Sequence, residues 1–580
     1  MPNINSEDST KKHESTLDPN NIFTTKKPKL CSTNPQVALE NKLLDSRFTK
    51  SFNELFLDQT CLKTKNICLN SSDFLVTETE DFNQNSSTKA QENLTQLAKI
   101  ISSPFKVGFL YNVFSATYLK ELKTELAALE WKHRSNDLYD FYQTNDLSSI
   151  SNNASKINLL YTYLKSDAFI SYLESLSGTN LLRNRIDMAA QQYKKGGYLL
   201  CHDDAVSGQK IRRKIAYIIY LVEEDWKIED GGSLGLFSKD QNNQPTSVST
   251  TSLPIFNTIA FFITGESSYH EVQEVLRIDG ESRWSITGWF YEQLSESCVK
   301  NDPEFIDAFD KIYNIVSEPA PITSYYSTRN VIQESNQNNS LVEFFVNDDY
   351  LKITNKSKIQ DAFLENSSIE LKSFLKPRIY NQLIHELCMC DNWREKWNSI
   401  CEMPPTVRKY YLLNMDNLNH SSEHKIMNLN KSTDIDDFIK DGVTLSVINF
   451  FKSKEFAELL SDLTSLELLK VSSETRMLTA GSYTLAHDKV NEPEGLDVIF
   501  SFMPNKSVDN NNKSDNNTWD PIMWDGTTHY IADKDELLTL EPDHNTISIV
   551  YRTDETKRFI KCIKSEAKFS RFEFSMVFLE

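Results

Sequence analysis

Tyr198-Leu-Leu-Cys-His202-Asp-Asp204 is echoed in the C-terminal half by Tyr483-Thr-Leu-Ala-His487-Asp-Lys489, and that echo decides the fold. The likeness runs on downstream. Asn257-Thr-Ile answers Asn545-Thr-Ile, and Ser282-Arg283-Trp, closed by Glu292, answers Ser570-Arg571-Phe, closed by Glu580. Asn257 precedes Arg283 by the same interval that separates Asn545 from Arg571. Equal spacing over several matched points is the mark of a duplicated domain. Only the first copy keeps Asp204, so only it retains a full set of metal-binding side chains.

Around the first motif the text is written in short strands. Ile215–Val222, Thr258–Thr264 and Trp284–Tyr291 are β-branched and aromatic runs of strand length. Asp230-Gly231-Gly232 reads as a turn between them and Gln241–Thr251 as a polar loop. Upstream, Leu119, Leu122, Leu126 and Leu129 recur at helical spacing behind Ser115, a candidate N-cap, and form a core stripe. Many short strands with a helix at the front predict a mainly β fold with flanking helices (α+β), two double-stranded β-helix jelly rolls, the second degenerate. Further on, Ile359–Leu375 and Ile379–Cys388 read as helices, and Thr444–Phe451, Gly495–Phe502, Thr546–Arg552 and Phe572–Leu579 as strands.

The expected organisation is a disordered tail over 1–90, a catalytic domain over 91–295, a linker over 296–340 and a non-catalytic copy over 341–580. The tail is polar and rich in Asn, Ser, Thr, Lys and Glu. Within it, Lys26-Lys27-Pro28-Lys29 is a short basic cluster of the kind nuclear import receptors read, balanced by the plainer reading of a solvated tail. The Asn-rich stretch Asn505–Asn517 reads as a loop. A chain of 580 residues with 39% hydrophobic and 11% aromatic content supports more than one core. A formal charge of -20 weighs against binding a phosphate backbone. Nine scattered cysteines point to a reducing compartment. Cys388, Cys390 and Cys401 lack the paired spacing of a zinc site. Neither a signal peptide nor a membrane-length apolar run is expected.

His202-x-Asp204 alone is weak, because composition supplies such pairs by chance. Its context raises it. His270 follows a strand-like segment, and Arg283 heads the next strand. Two histidines and one carboxylate on one face hold non-haem iron with three positions open. Alternate residues of a strand share a face, which would put His202 and Asp204 side by side, with His270 brought in from another strand. Three open positions suit a cosubstrate that takes two and dioxygen that takes one, as in 2-oxoglutarate-dependent oxygenases. The far carboxylate of 2-oxoglutarate then needs a planar cationic fork, for which Arg283 with Ser285 is the candidate.

At this point the chain resembles a known family, the iron- and 2-oxoglutarate-dependent prolyl 3-hydroxylases that modify a small-subunit ribosomal protein. The likeness spans Phe105 to the C-terminus. It rests on Asn136–Leu147, Tyr198–Asp204, Arg213–Val222, His270–Leu276, Ser282–Phe290 and Leu371–Pro377. It implies that His202, Asp204 and His270 bind Fe(II), that Arg283 binds 2-oxoglutarate, and that the phenols of Tyr193 and Tyr220 hydrogen-bond the cosubstrate. Dioxygen is the second cosubstrate and ascorbate the expected reductant. The implied product is a 3-hydroxyprolyl residue in a ribosomal protein, in nucleus and cytoplasm, with an effect on translation accuracy or termination. In the second copy Lys489 stands for Asp204 and Arg558 for His270, so that copy is expected to serve as scaffold or partner surface. Two other readings remain beside this one: an oxygenase on another protein or a nucleic-acid base, and an oxygen-sensing adaptor working through its C-terminal domain.

Overall fold

The computed structural model of the chain describes residues 37–60, 62–70, 73–79, 94–206, 210–294, 323–324, 341–389, 397, 404–413, 442–486, 494–503, 518–533 and 535–580. The first half carries β1 (Thr64–Asn70), β2 (Asp73–Thr79), β3 (Thr95–Ile101), β4 (Val107–Tyr111), β5 (Lys132–Ser135), β6 (Tyr139–Gln143) and β7 (Ala189–Tyr193). These are followed by β8 (Tyr198–His202), β9 (Ile211–Tyr220), β10 (Leu234–Lys239), β11 (Pro245–Ser252), β12 (Thr258–Ile263), β13 (His270–Val272) and β14 (Arg283–Gln293). The second half carries β15 (Thr323–Ser324), β16 (Ser368–Leu371), β17 (Arg408–Lys409), β18 (Tyr411–Leu412), β19 (Lys470–Leu478) and β20 (Tyr483–Thr484). It ends in β21 (Gly495–Phe502), β22 (Thr528–Ala532), β23 (Asp535–Leu540), β24 (Thr546–Arg552), β25 (Thr556–Ile560) and β26 (Arg571–Leu579).

The duplication is visible in the pairing. In the first copy the order β7-β14-β9-β12-β4 continues through the β6–β7 pairing into β6-β8-β13-β10-β11; in the second, β19-β26-β21-β24-β16 and β17-β20-β25-β22-β23 are separate sheets. Each strand of one series has its counterpart in the other, so both copies are double-stranded β-helices. Each copy also repeats the same latch. Asn257 (φ 59°) donates its Nδ2 to the Phe114 carbonyl at 2.7 Å and accepts the Phe114 N–H at 2.9 Å. Asn545 (φ 47°) makes the same two bonds, to the carbonyl and from the N–H of Leu375, at 2.8 and 2.9 Å. Asparagine tolerates the left-handed backbone and carries a donor and an acceptor, which is what both sites need.

Alternation along β9 makes the layers. Ile215, Tyr217 and Ile219 pack outward against helices that bury Phe48, Phe52, Leu119, Leu122 and Ile170, while Ala216 and Tyr220 face the jelly-roll interior with Ala260 and Phe262. The predicted leucine stripe therefore lies on the helix Ala116–Ala127, with Leu119, Leu122 and Leu126 buried. No helix among the described residues is long and apolar enough to cross a membrane.

Several expectations need correction. Residues 37–60, 62–70 and 73–79 of the supposed tail fold: the helix Ser46–Leu57 buries Phe48, Phe52 and Phe56, and β1 joins β3. Three aromatics at i, i+4 and i+8 outweighed the polar composition around them. Most of the supposed loop Gln241–Thr251 lies in β11, an edge strand whose polar alternation is tolerated because only β10 pairs with it. Thr444–Phe451 is helical, within Val443–Phe451, and buries Val443, Val447, Ile448 and Phe451 at helical spacing. The helix Ile353–Asn366 ends at Ser367, φ 54°, before β16. Lys26–Lys29, Cys390, Cys401, Asn505–Asn517 and most of 296–340 lie outside the described residues.

Candidate active site

β8 ends at His202, so His202 and Asp204 do not share a strand as the sequence suggested; Asp204 stands just beyond it. Against β13, His270 pairs with His202 and Val272 with Leu199, an irregularity that places two residues of β8 opposite one of β13. Such a bulge re-aims side chains. Here it brings both Leu199 and His202 to the same cavity, from which strict alternation would exclude one.

The three predicted ligands converge. One ligand atom from each of His202, Asp204 and His270 lies within 4.8 Å of the others, a spacing a metal ion can bridge. Asp204 Oδ1 is 3.8 Å from His202 Nε2, and its Oδ2 is 3.5 Å from His270 Nε2. The far side of each ring is held by backbone: His202 Nδ1 lies 2.8 Å from the Leu200 carbonyl, His270 Nδ1 2.9 Å from that of Ser268. A carbonyl only accepts, so each Nδ1 carries the proton and each Nε2 turns a lone pair towards Asp204. Burial, then the neighbouring His270, push the His202 imidazolium down to about 4, which keeps the ring neutral. Burial alone would raise the Asp204 carboxyl; His270, His202 and Arg213 together overcome it and hold the group below its usual range.

A cavity of about 420 Å³ opens over this cluster, a size suited to a small ligand. Arg283 and Ser285 line it, 1% exposed each. Arg283 Nε donates to the Gly232 carbonyl at 2.6 Å, which leaves Nη2 buried without a hydrogen-bond partner among the described residues. Ser285 Oγ is orphaned in the same way. Each such group costs about 1–3 kcal/mol when left unpaired, so an acceptor that satisfies both fits the site. Tyr193 also lines the cavity, its hydroxyl donating to Gln191 Oε1 at 3.1 Å.

Tyr220 stands beside the same arginine. It is fully buried on the face of Ala216 and Ile218, and its hydroxyl, like Ser285 Oγ, has no hydrogen-bond partner among the described residues. Its ring sits 5.2 Å from the Arg283 guanidinium, as does that of Tyr193. The two tyrosines thus flank the arginine. Two contributors escaped the sequence reading. Arg213 stacks on Trp289 at 3.6 Å and adds positive charge beside Asp204. Gly232, read only as a turn, has φ 67°, and a Cβ there would stand 2.8 Å from Arg283 Cδ. The adjacent Gly-Gly was the available signal, but its partner was not readable locally.

Residues 188–291 match the model of the 2OG-Fe(II) oxygenase superfamily, and residues 336–579 match that of the oxoglutarate and iron-dependent oxygenase degradation C-terminal region. Residues 188–291, which carry the converging triad and Arg283, are thus similar to the 2-oxoglutarate- and iron(II)-dependent oxygenases. That superfamily implies iron as cofactor and 2-oxoglutarate as cosubstrate, and the converging His202, Asp204 and His270 fit the metal. A Xenopus laevis protein named prolyl 3-hydroxylase OGFOD1 is 29% identical over 493 residues, 80% of this chain and 84% of that protein. The Mus musculus protein of the same name is 29% identical, covering 77% and 82%. The Drosophila melanogaster prolyl 3-hydroxylase sudestada1 is 26% identical, covering 80% and 81%.

The second copy of the oxygenase fold is filled from within. Arg571 repeats the Arg283 seat by donating Nη1 to the Gly526 carbonyl at 2.6 Å. With Gly526 matching Gly232, Thr528 matches Leu234; these pair with Ile560 and Val272, which places Arg558 where His270 stands. Glu573 takes the Ser285 position and gives Arg571 Nη2 a carboxylate at 2.7 Å. Arg558 pairs at 3.3 Å with Asp497, which lies at the Ala216 position by the same register. The second fork already holds an acid, and a cation occupies a ligand position. His487 and Lys489 lie outside the described residues.

Proposed function

We propose that the chain is a protein prolyl hydroxylase that adds hydroxyl at C3 of a proline in a small-subunit ribosomal protein and so affects translation accuracy or termination. The observation that carries the reading is His202, Asp204 and His270 converging beside the unsatisfied Arg283 fork in one cavity. The names of the relatives support the prolyl target and the regiochemistry.

His202 Nε2, Asp204 and His270 Nε2 hold the iron, and the backbone carbonyls of Leu200 and Ser268 fix both rings. Bound iron supplies activation of dioxygen, coupled to decarboxylation of 2-oxoglutarate to succinate. Arg283 and Ser285 would grip the distal carboxylate of the cosubstrate, and the phenols of Tyr193 and Tyr220, which flank the guanidinium, would hydrogen-bond the cosubstrate. Phe262, packed edge-on to His270 at 4.8 Å, and Leu199 keep that end of the cavity apolar and short of water. Ascorbate serves as reductant. The acidic balance favours a protein over a nucleic acid as substrate. Nucleus and cytoplasm are the proposed locations, to be checked by fractionation.

Peptide mapping of ribosomal proteins by mass spectrometry, with and without the gene, tests the assignment. One prolyl residue is expected to lose 16 Da on deletion and regain it with the wild-type protein but not with His202→Ala. Identical maps would remove the ribosomal substrate while leaving the oxygenase intact.

A further inference from the structure

The strand that carries His202 is backed by the second copy. On β8 the side chains of Tyr198 and Leu200 turn away from the cavity into a cluster with Leu138 from the first copy and Tyr483, Leu485 and Cys562 from the second. Leu485 is fully buried there. Polar contacts frame the patch. The Ala486 N–H donates to Asp137 Oδ2 at 2.8 Å, and the Ser565 N–H donates to Glu274 Oε2 at 2.9 Å. Lys561 and Lys564 bridge Asp525 of their own copy, at 3.0 and 3.4 Å, to Asp140 of β6, at 3.6 and 4.0 Å. Lys195 pairs with Glu566. The acids Asp137, Asp140 and Glu274 thus meet Lys561, Lys564 and backbone donors across an apolar centre.

Leu200 links this interface to the metal cluster. Its side chain is seated in the patch, its N–H is held by the Leu138 carbonyl at 2.9 Å, and its own carbonyl holds His202 Nδ1. It also stands within the irregular β8–β13 step, where the ladder by itself specifies position weakly. We infer that the C-terminal copy braces the metal site, with Leu485 acting through Leu200 to position the His202 ring. Leu485 touches no reacting atom, so it is a positioning residue. The inference rests on the metal reading of the triad.

Mn(II) titration of the metal-free full-length protein, followed by electron paramagnetic resonance, tests it without turnover. Wild type is expected to bind one Mn(II), and His202→Ala to lose it; a wild type that binds none would remove the metal reading and this inference together. Given binding by wild type, Leu485→Ala is expected to weaken Mn(II) by about 10-fold or more, the usual effect of losing support behind a ligating histidine. Leu485→Met, similar in volume, is expected to restore it. Leu463→Ala, a comparable truncation in the core of the second copy, is expected to lower Tm yet leave Mn(II) affinity unchanged. Should Leu485→Ala not fold, the double variant Lys561→Ser, Lys564→Ser keeps the apolar patch and is expected to weaken Mn(II) several-fold. Wild-type Mn(II) affinity in the folded interface variant would overturn the brace while leaving the metal site standing.

Discussion

Gly232→Ala makes the sharpest test of how the cosubstrate fork is built. Gly232 has φ 67°, a region where a non-glycine residue costs about 1–2 kcal/mol. The added Cβ would stand 2.8 Å from Arg283 Cδ and 3.1 Å from Val275 Cγ2, so the arginine must move. Moving it strains the 2.6 Å bond from Nε to the Gly232 carbonyl, a charged hydrogen bond of about 1.5–3 kcal/mol. If roughly half to all of that is lost from cosubstrate binding, 2-oxoglutarate affinity falls about 3- to 140-fold, at 1.4 kcal/mol per decade. Gly280→Ala is the control. It pays the left-handed backbone cost at φ 90°, but nothing lies within 4 Å of its Cβ. Succinate release against 2-oxoglutarate concentration gives KM and kcat for both variants, and Mn(II) binding checks the triad separately. A 2-oxoglutarate KM raised in Gly232→Ala alone, with Mn(II) affinity retained, is expected. Wild-type KM in Gly232→Ala would refute the claim that this carbonyl seats Arg283.

Three further outcomes follow from the same geometry. His202→Ala and Asp204→Ala are each expected to abolish succinate formation and metal binding, and full turnover in either would remove the triad assignment. Glu573→Gln takes the carboxylate from the buried Arg571 in the second copy, while Arg476 keeps Glu474, and is expected to cost about 3–5 kcal/mol in calorimetry. Equilibrium dialysis of that variant and of wild type is expected to give one 2-oxoglutarate per chain; a second equivalent lost on Arg571→Ala would show that the C-terminal copy binds cosubstrate. Asn257→Ala and Asn545→Ala each leave two backbone groups unpaired, for about 2–4 kcal/mol in thermal unfolding. The glycine variants are expected to be about 1 kcal/mol less costly, because glycine accepts the left-handed backbone. Equal losses for alanine and glycine would count against that account.

The duplication, the jelly-roll class and the triad were readable because each depends on residues whose separation along the chain survives folding. Asn257 and Asn545 announce themselves by spacing, and their structural role turned out to be the same latch twice. Hydrophobic alternation in β9 and β12 is local and needs no partner to be seen. Local composition misled where a few apolar residues at the right period outweighed many polar ones, as in the helix Ser46–Leu57, and where helix and strand are both consistent with a short apolar run, as in Val443–Phe451.

Tertiary structure decided what depends on meetings between distant segments. His202 faces the cavity because β8 is irregular against β13, and no feature of Tyr198–Asp204 alone fixes which partner residue it opposes. Tyr193 and Tyr220 flank Arg283 from two different strands, a meeting that neither strand's own pattern shows. The sequence determined that the second copy had lost its ligands; only the fold revealed that Glu573 and Asp497 pair with the arginines inside it and that its outer face closes on the strand of His202. Spacing is a property of one chain segment. Burial, charge pairing and register belong to pairs of segments, and folding alone brings those together.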